Sequence, residues 1–214
     1  MDREPDSTAA GINRRPLKTR SSQWAQTLAK GLAKSHITPN QISVASIAPA
    51  LLGAYLLINS PSAIGLIVVA LCIQTRLLCN LLDGMVAIEG GRKSAVGALY
   101  NEIPDRIADS LFIVALGYAA GYSWLGWLGA LAAAVTAYIR TLGGALGFAQ
   151  DFRGPMAKPH RMATMTLACL IGAAELSANH TLYSLLIAAV VIAAGATITC
   201  GTRTLAVATR LRSR

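Results

Sequence analysis

Asp83 and Asp105 stand within long apolar stretches, where a carboxylate needs a reason to be present. Around the first, the chain reads Asn80-Leu81-Leu82-Asp83-Gly84-Met85-Val86-Ala87. Asn80, Asp83 and Ala87 share one helical face, at offsets of three and seven. Around the second, Gly97, Asn101, Asp105 and Asp109 recur every four residues and form another stripe. A short loop joins the two segments, so they are expected to be antiparallel neighbours. Facing stripes of this kind offer hard oxygen ligands from two helices, as a divalent cation requires. Gly84 and Gly97, beside the carboxylates, leave room for a ligand; elsewhere in membrane helices a lone glycine mostly serves close packing.

Further charges share these stretches: Arg76, Glu102, Arg106, Asp109 and Arg140. Each costs on the order of 3 kcal/mol at the centre of a membrane helix, less near its end. A cluster of this size implies a shared interior site or a set of pairs. Arg106 and Asp109, three apart on one helix, are positioned to satisfy each other. Arg76 lies one turn before Asn80 on the Asp83 face, as a carboxylate partner or a ligand for an anion. Arg153, Lys158, His160 and Arg161 form a second basic group in or beside residues 149–161.

The elements that hold these residues follow from composition. Hydrophobic types make up 54% of the 214 residues and charged types 14%. A soluble domain carries about 25% charged residues, so an ordinary soluble enzyme is excluded. Disorder, which needs low hydrophobicity and high charge, is excluded as well. Six apolar stretches run over roughly 41–59, 63–88, 96–121, 124–148, 161–178 and 181–202. Each is near the roughly 20 residues a span needs. The predicted fold is all-α, an integral membrane bundle of six transmembrane helices preceded by an amphipathic interfacial helix. That first helix is read from Trp24, Leu28 and Leu32, with Lys30 and Lys34 between them, over 20–36. Residues 1–19 lack an apolar core for a signal peptide and are expected to form a disordered basic tail. The membrane domain is assigned to 37–202 and a basic C-terminal tail to 203–214.

The net charge is +9, and the basic residues lie at the ends and in the 89–95 and 149–161 loops. The connections at 60–62, 122–123 and 179–180 carry no Lys or Arg. This alternation predicts both termini, and both polar stripes, at the cytoplasmic face. Trp124 and Trp127 then belong to the opposite interface. No nucleic-acid partner is expected, because the charge is explained by membrane topology. Cys72, Cys79, Cys169 and Cys200 show no ligand spacing and read as small apolar packing residues.

The two stripes together match a known pattern. The chain resembles the CDP-alcohol phosphatidyltransferases, whose signature D-x2-D-G-x2-A-R-x8-G-x3-D-x3-D spans two adjacent membrane helices. Here it reads Asn80-x2-Asp83-Gly84-x2-Ala87-Ile88-x8-Gly97-x3-Asn101-x3-Asp105, with every spacing kept over 26 residues. The Thr38-Pro39-Asn40-Gln41 step before the first span is also similar to the family's, and the resemblance covers roughly 36–200. Three positions depart from it: Asn80 and Asn101 replace aspartates, and Ile88 replaces an arginine.

The resemblance implies phosphatidyl transfer from CDP-diacylglycerol to the hydroxyl of a small polar alcohol, with release of CMP. It implies divalent metal ligands at Asn80, Asp83, Asn101 and Asp105, with Asp105 as the general base. It places the CDP-lipid at Asp83, Gly84, Ala87 and Gly97, with Arg92 or Arg76 serving for the missing arginine. Asparagine offers a carbonyl oxygen but no charge, so Mg²⁺ or Mn²⁺ is expected as one tightly held ion, or with a second that binds weakly until substrate phosphates arrive. Glu89 and Glu102 are carboxylates nearby, off the expected face. The segments around Tyr138-Ile139-Arg140 and Gly154-Pro155-Met156-Ala157-Lys158-Pro159-His160-Arg161 look similar to branches that use phosphorylated acceptors. This points to Arg140, Lys158 and Arg161 as acceptor-binding residues. The resemblance also suggests a homodimer, and the short loops suggest a bacterial inner membrane. The competing readings are a catalytically silent relative that binds CDP-lipid or a partner membrane protein, and a transporter, which the intact spacing disfavours.

Overall fold

The computed structural model describes residues 22–59, 61–91 and 94–213, and among these it is helix and loop throughout. The basic tail expected over 1–19 lies outside the described residues. Helix α1 is Gln23–Ala33, α2 Pro39–Ala45, α3 Ile47–Asn59 and α4 Ala63–Glu89. They are followed by α5 Gly97–Ala119, α6 Ser123–Ala145, α7 Lys158–Asn179 and α8 Tyr183–Arg212.

Local chemistry sets several of these boundaries. Thr38 and Gln41 form a reciprocal capping box with Pro39 in the first turn, which starts α2 sharply. The Ser62 hydroxyl accepts from the Gly65 N–H at the start of α4. Between α2 and α3 the helix breaks at Ser46. Pro49 has no N–H to give the Ala45 carbonyl, and the buried Ser46 hydroxyl donates to the Ser43 carbonyl at 2.6 Å. Pro39–Asn59 nonetheless forms one apolar segment of 21 residues.

Among the described residues, five segments are long and apolar enough to cross a membrane: Pro39–Asn59, Ala63–Ile88, Ser123–Ala145, Lys158–Asn179 and Tyr183–Arg212. They fall on five of the six apolar stretches of the sequence. Helix α5 covers the remaining one. Its 23 residues match the roughly 20 a span requires, but Glu102, Asp105, Arg106 and Asp109 load it with charge. Helix α8 is longer than expected. It continues through the basic segment from 203 to Arg212, so that segment is helical rather than a separate tail.

The helices form a closed ring in the spatial order α3, α5, α6, α8, α7, α4, with α2 against both α4 and α5 and α1 against α4. The signature helices α4 and α5 are not among the closely packed pairs. This corrects the expectation of direct neighbours: the α2–α3 segment packs between them, and long polar side chains bridge the remaining gap. The core is built of small and aliphatic residues around Phe112, Leu116, Ile73, Met165 and Ile192. A Cβ placed on Gly53 would lie 2.6 Å from the Phe112 ring, so the glycine is what lets α3 meet α5.

The α5–α6 contact is tighter still. A Cβ on Gly117 would fall 2.5 Å from the Gly126 backbone nitrogen, and one on Gly126 would fall 2.7 Å from the Val114 carbonyl oxygen. Backbone meets backbone here, as small residues permit in membrane helices. Gly117→Ala is expected to destabilise the protein by about 1–3 kcal/mol through overpacking. Thermal unfolding in detergent should show the loss, while Gly31→Ala, with nothing within 4 Å of its Cβ, should leave the transition in place.

Helix α1 docks through Ala25 and Ala29 onto Leu81, Leu82, Met85 and Val86 of α4. Its larger residues, Trp24 at 53% and Leu28 at 44%, remain exposed.

Candidate active site

Three helices supply the charged and polar side chains of the interior cluster. Arg76, Asn80 and Asp83 come from α4, Asp105 and Asp109 from α5, and Lys158 and Arg161 from the first turns of α7. The α7 residues are placed by the preceding loop, which is fastened to α8. The Met156 N–H donates to the Thr199 hydroxyl at 3.0 Å, and Gly154 passes so close to Thr199 that a Cβ would lie 2.4 Å from its methyl. Gly154 also has φ +120°, which a side chain would strain. Arg203 donates to the Arg153 carbonyl at 2.9 Å and the Thr136 carbonyl at 2.8 Å, tying the loop to α6 and α8 together.

Asp105 is the hub. Its Oδ1 accepts from Arg76 Nη2 at 3.0 Å and from the Asn80 amide. Its Oδ2 accepts from Lys158 Nζ and, at a longer 3.4 Å, from Arg106 Nη2. Arg76 is fully buried, donates also to the Asp105 carbonyl at 3.1 Å, and lies 2.8 Å from Asp109 Oδ1. Asp109 Oδ2 accepts from Arg161 Nη2 at 3.1 Å. Arg76, Arg106, Lys158 and Arg161 thus face the two carboxylates of Asp105 and Asp109, and the cluster carries excess positive charge. An anionic ligand, held by charge-assisted hydrogen bonds, is what such a site suits. Arg76 Nε and Nη1 are buried without a hydrogen-bond partner among the described residues.

Asp83 has a hydrogen-bond partner of its own. Its Oδ2 accepts from the Ser43 hydroxyl at 2.6 Å, while its Oδ1 is buried with no hydrogen-bond partner among the described residues. Ser43 was not singled out from the sequence. Its signal is position: it follows the Thr38–Gln41 capping box by two residues and so lies on the first turns of α2, facing α4.

Not every expected site residue joins the cluster. Asn101 is exposed, and Gly84, Ala87 and Gly97 are half-buried. An added Cβ on Gly97 would meet only Ser94, at 3.9 Å, so no helix packing demands a glycine there. Arg92 lies outside the described residues, and nothing is described of the Glu89 side chain. Arg140 is held by Glu102 at 2.5 Å and Gln150 at 2.7 Å, with its guanidinium 5.5 Å from the Phe152 ring centroid. The three basic residues assigned to an acceptor therefore each have their own carboxylate. Arg161, only 1% exposed, also donates to the Met156 carbonyl at 2.8 Å.

Two pairings differ from the local reading. Arg106 turns to Asp105 and, at 3.9 Å, to Glu102, not to Asp109; the interior arginines Arg76 and Arg161 reach Asp109 first. Glu102 is part of the network after all, linking Arg106 to Arg140. Among the described residues, no three His, Cys, Asp or Glu side chains come together as a metal-binding group.

The chain has known relatives. The inner membrane protein YnbA of Escherichia coli (strain K12) is 29% identical over 131 residues, 61% of this chain. The chain spans 65% of that relative's length, just under two thirds. The archaetidylinositol phosphate synthase of Aeropyrum pernix is 32% identical over 154 residues, 71% of this chain and 76% of the relative. Among solved structures, the phosphatidylinositol phosphate synthase of Mycobacterium tuberculosis in complex with manganese and citrate has a TM-score of 0.74 at 22% identity, covering 86% of this chain and 89% of its own. The same synthase with CDP-DAG bound has a TM-score of 0.74 at 21% identity, covering 87% and 94%. These structures share the fold. No protein-family model matches the chain.

Proposed function

The chain belongs to the CDP-alcohol phosphatidyltransferase family, and from that premise we propose that it transfers the phosphatidyl group of CDP-diacylglycerol to the hydroxyl of a small, phosphorylated polar alcohol. The observation that carries the reading is the interior cluster itself. A carboxylate at the last signature position is held by Arg76, Lys158 and Arg106, and the second carboxylate, Asp83, has an oxygen without a partner among the described residues. Two relatives, the Aeropyrum and mycobacterial proteins, are inositol phosphate lipid synthases, which supports a phosphate-bearing acceptor.

In this mechanism the acceptor oxygen attacks the phosphorus bonded to diacylglycerol. The bond from that phosphorus to the CMP oxygen breaks, and CMP leaves with the electron pair. The acceptor proton passes to the Asp105 carboxylate. The positive charge of Arg76, Arg106 and Lys158 around Asp105 would offset the charge that develops on the diphosphate. Arg140, at the rim, is the candidate for the acceptor's phosphate, with Glu102 and Gln150 setting its fork.

The donor set fits one divalent cation. Asp83 Oδ1, with the side-chain oxygen of Asn80 one turn away, would hold Mg²⁺ or Mn²⁺ together with substrate phosphate oxygens. Such an ion would neutralise charge on the diphosphate and align it for attack. The manganese complex of the mycobacterial neighbour supports divalent metal use.

The same reading has α5 crossing the membrane as a sixth span, its charges turned inward. It places α1 in the interface with Trp24 and Leu28 outward, over a membrane domain of residues 37–202. Both termini and the site lie on the cytoplasmic side of a bacterial inner membrane, in a homodimer.

The test is CMP release from CDP-diacylglycerol by the purified protein with Mg²⁺ or Mn²⁺ and a panel of acceptors: glycerol 3-phosphate, inositol phosphate, inositol, serine and glycerol. Metal-dependent release is expected with a phosphorylated acceptor and not with its dephosphorylated form. Retained CDP-lipid binding without release from any acceptor would favour the silent relative instead.

A further inference from the structure

The interior cluster sets four cations, Arg76, Arg106, Lys158 and Arg161, against the carboxylates of Asp105 and Asp109. Asp105 is surrounded before any ion or substrate arrives: Arg76 and Asn80 occupy Oδ1, and Lys158 with Arg106 occupies Oδ2. A carboxylate so engaged has little left to give a metal, since each oxygen offers about two lone pairs. The residue opposite, Asn80, turns its amide N–H, not its oxygen, to Asp105. It acts as a donor where a carboxylate would repel Asp105. Asp83 is different: one oxygen is held by Ser43 and the other has no partner among the described residues.

We propose that the Lys158 ammonium is a built-in counter-ion at Asp105 that limits the site to one divalent cation, bound at the Asp83 corner. The proposal rests on the phosphatidyltransferase reading and deepens it. Its logic is one of charge and space. The neutral side chains at Asn80 and Asn101 remove the negative charge that a second ion would need, and Lys158 supplies a single positive charge at Asp105 Oδ2. A second divalent ion there would have to displace the ammonium while facing Arg76 and Arg106 as well. Lys158 can reach the site because Pro159 and the Thr199-anchored loop start α7 beside Asp105, and its Nζ is tethered at both ends, by the helix and by the carboxylate.

The test counts Mn²⁺ on the full chain in nanodiscs with saturating CDP-diacylglycerol, from the loss of the free-ion electron paramagnetic resonance signal. Wild type is expected to bind one ion per chain. Asn80→Asp with Asn101→Asp, keeping Lys158, is expected still to bind one. The same pair combined with Lys158→Met is expected to bind two. Two ions on wild type, or on the double variant that keeps Lys158, would overturn the counter-ion role and leave the transferase reading standing. So would one ion on a triple variant that still melts cooperatively. If the triple variant does not fold, the wild-type and double-variant counts decide. No ion on wild type would overturn the metal-assisted reading and the inference with it, whereas one ion without CMP release from any acceptor would count against the transferase alone.

Discussion

Asp105→Asn is expected to slow CMP release by about 10²–10⁴-fold, the range over which a positioned general base contributes. The substitution keeps the volume and an acceptor oxygen, so Arg76 retains a partner, but the group can no longer take the acceptor's proton. Rate should fall with CDP-lipid binding largely kept, and the residual rate should lose its dependence on the base. The measurement is turnover at saturating acceptor, paired with binding of CDP-diacylglycerol by the same preparation. If turnover stayed within a few fold of wild type, Asp105 would be a structural anchor for Arg76 and Lys158 and the proton would have to leave by another route. Its four contacts make both roles plausible on geometry, which is why the isosteric change is more informative than truncation to alanine.

Arg76→Met is expected to cost about 3–5 kcal/mol of stability, the range for removing one partner of a buried ion pair. Arg76 is fully buried and lies within 3.0 Å of Asp105 and 2.8 Å of Asp109, so its loss leaves two interior carboxylates short of charge at once. Thermal unfolding in nanodiscs should show a large drop in the midpoint. Arg76→Lys should recover only part of it, because one ammonium cannot repeat a guanidinium's fork to two carboxylates. Adding Asp109→Asn to Arg76→Met should restore some stability by removing a charge that has lost its partner. A midpoint unchanged by Arg76→Met would show that Arg161 and Lys158 neutralise both acids alone.

Much of the architecture was legible before any coordinates. Runs of apolar residues near 20 long predict the helices, and the described helices follow them closely. The spacing brings Asn80 and Asp105 into contact, whereas Asn101, one turn before Asp105, stays exposed. The amphipathic repeat at Trp24, Leu28 and Leu32 also held for α1, but its smaller neighbours Ala25 and Ala29 make the contact with α4. The break at Ser46 follows from Pro49, which cannot donate to the Ala45 carbonyl.

Pairing is where local reading stopped. A three-residue offset brings Arg106 near Asp109, yet Arg106 turns to Asp105 and Glu102, because Arg76 from α4 and Arg161 from α7 fill the Asp109 side. Helical periodicity assigns a residue to a face of its own helix but says nothing about which helix stands opposite. That depends on the ring order, and the ring order depends on small contacts such as Gly53 under Phe112 and Gly117 against Gly126. Lys158 shows the same division. Its charge and its place in a basic loop were evident from the chain, and phosphate was the natural partner to expect. Its actual partner, Asp105, lies more than fifty residues away in sequence and is reached only because Thr199 and Arg203 on the last helix hold that loop over the gap. Chemistry that depends on which residue type sits at which spacing is written along one helix, and it could be read there. Chemistry that depends on which charges share one low-dielectric interior is a property of several helices at once, and it emerged only when they were packed.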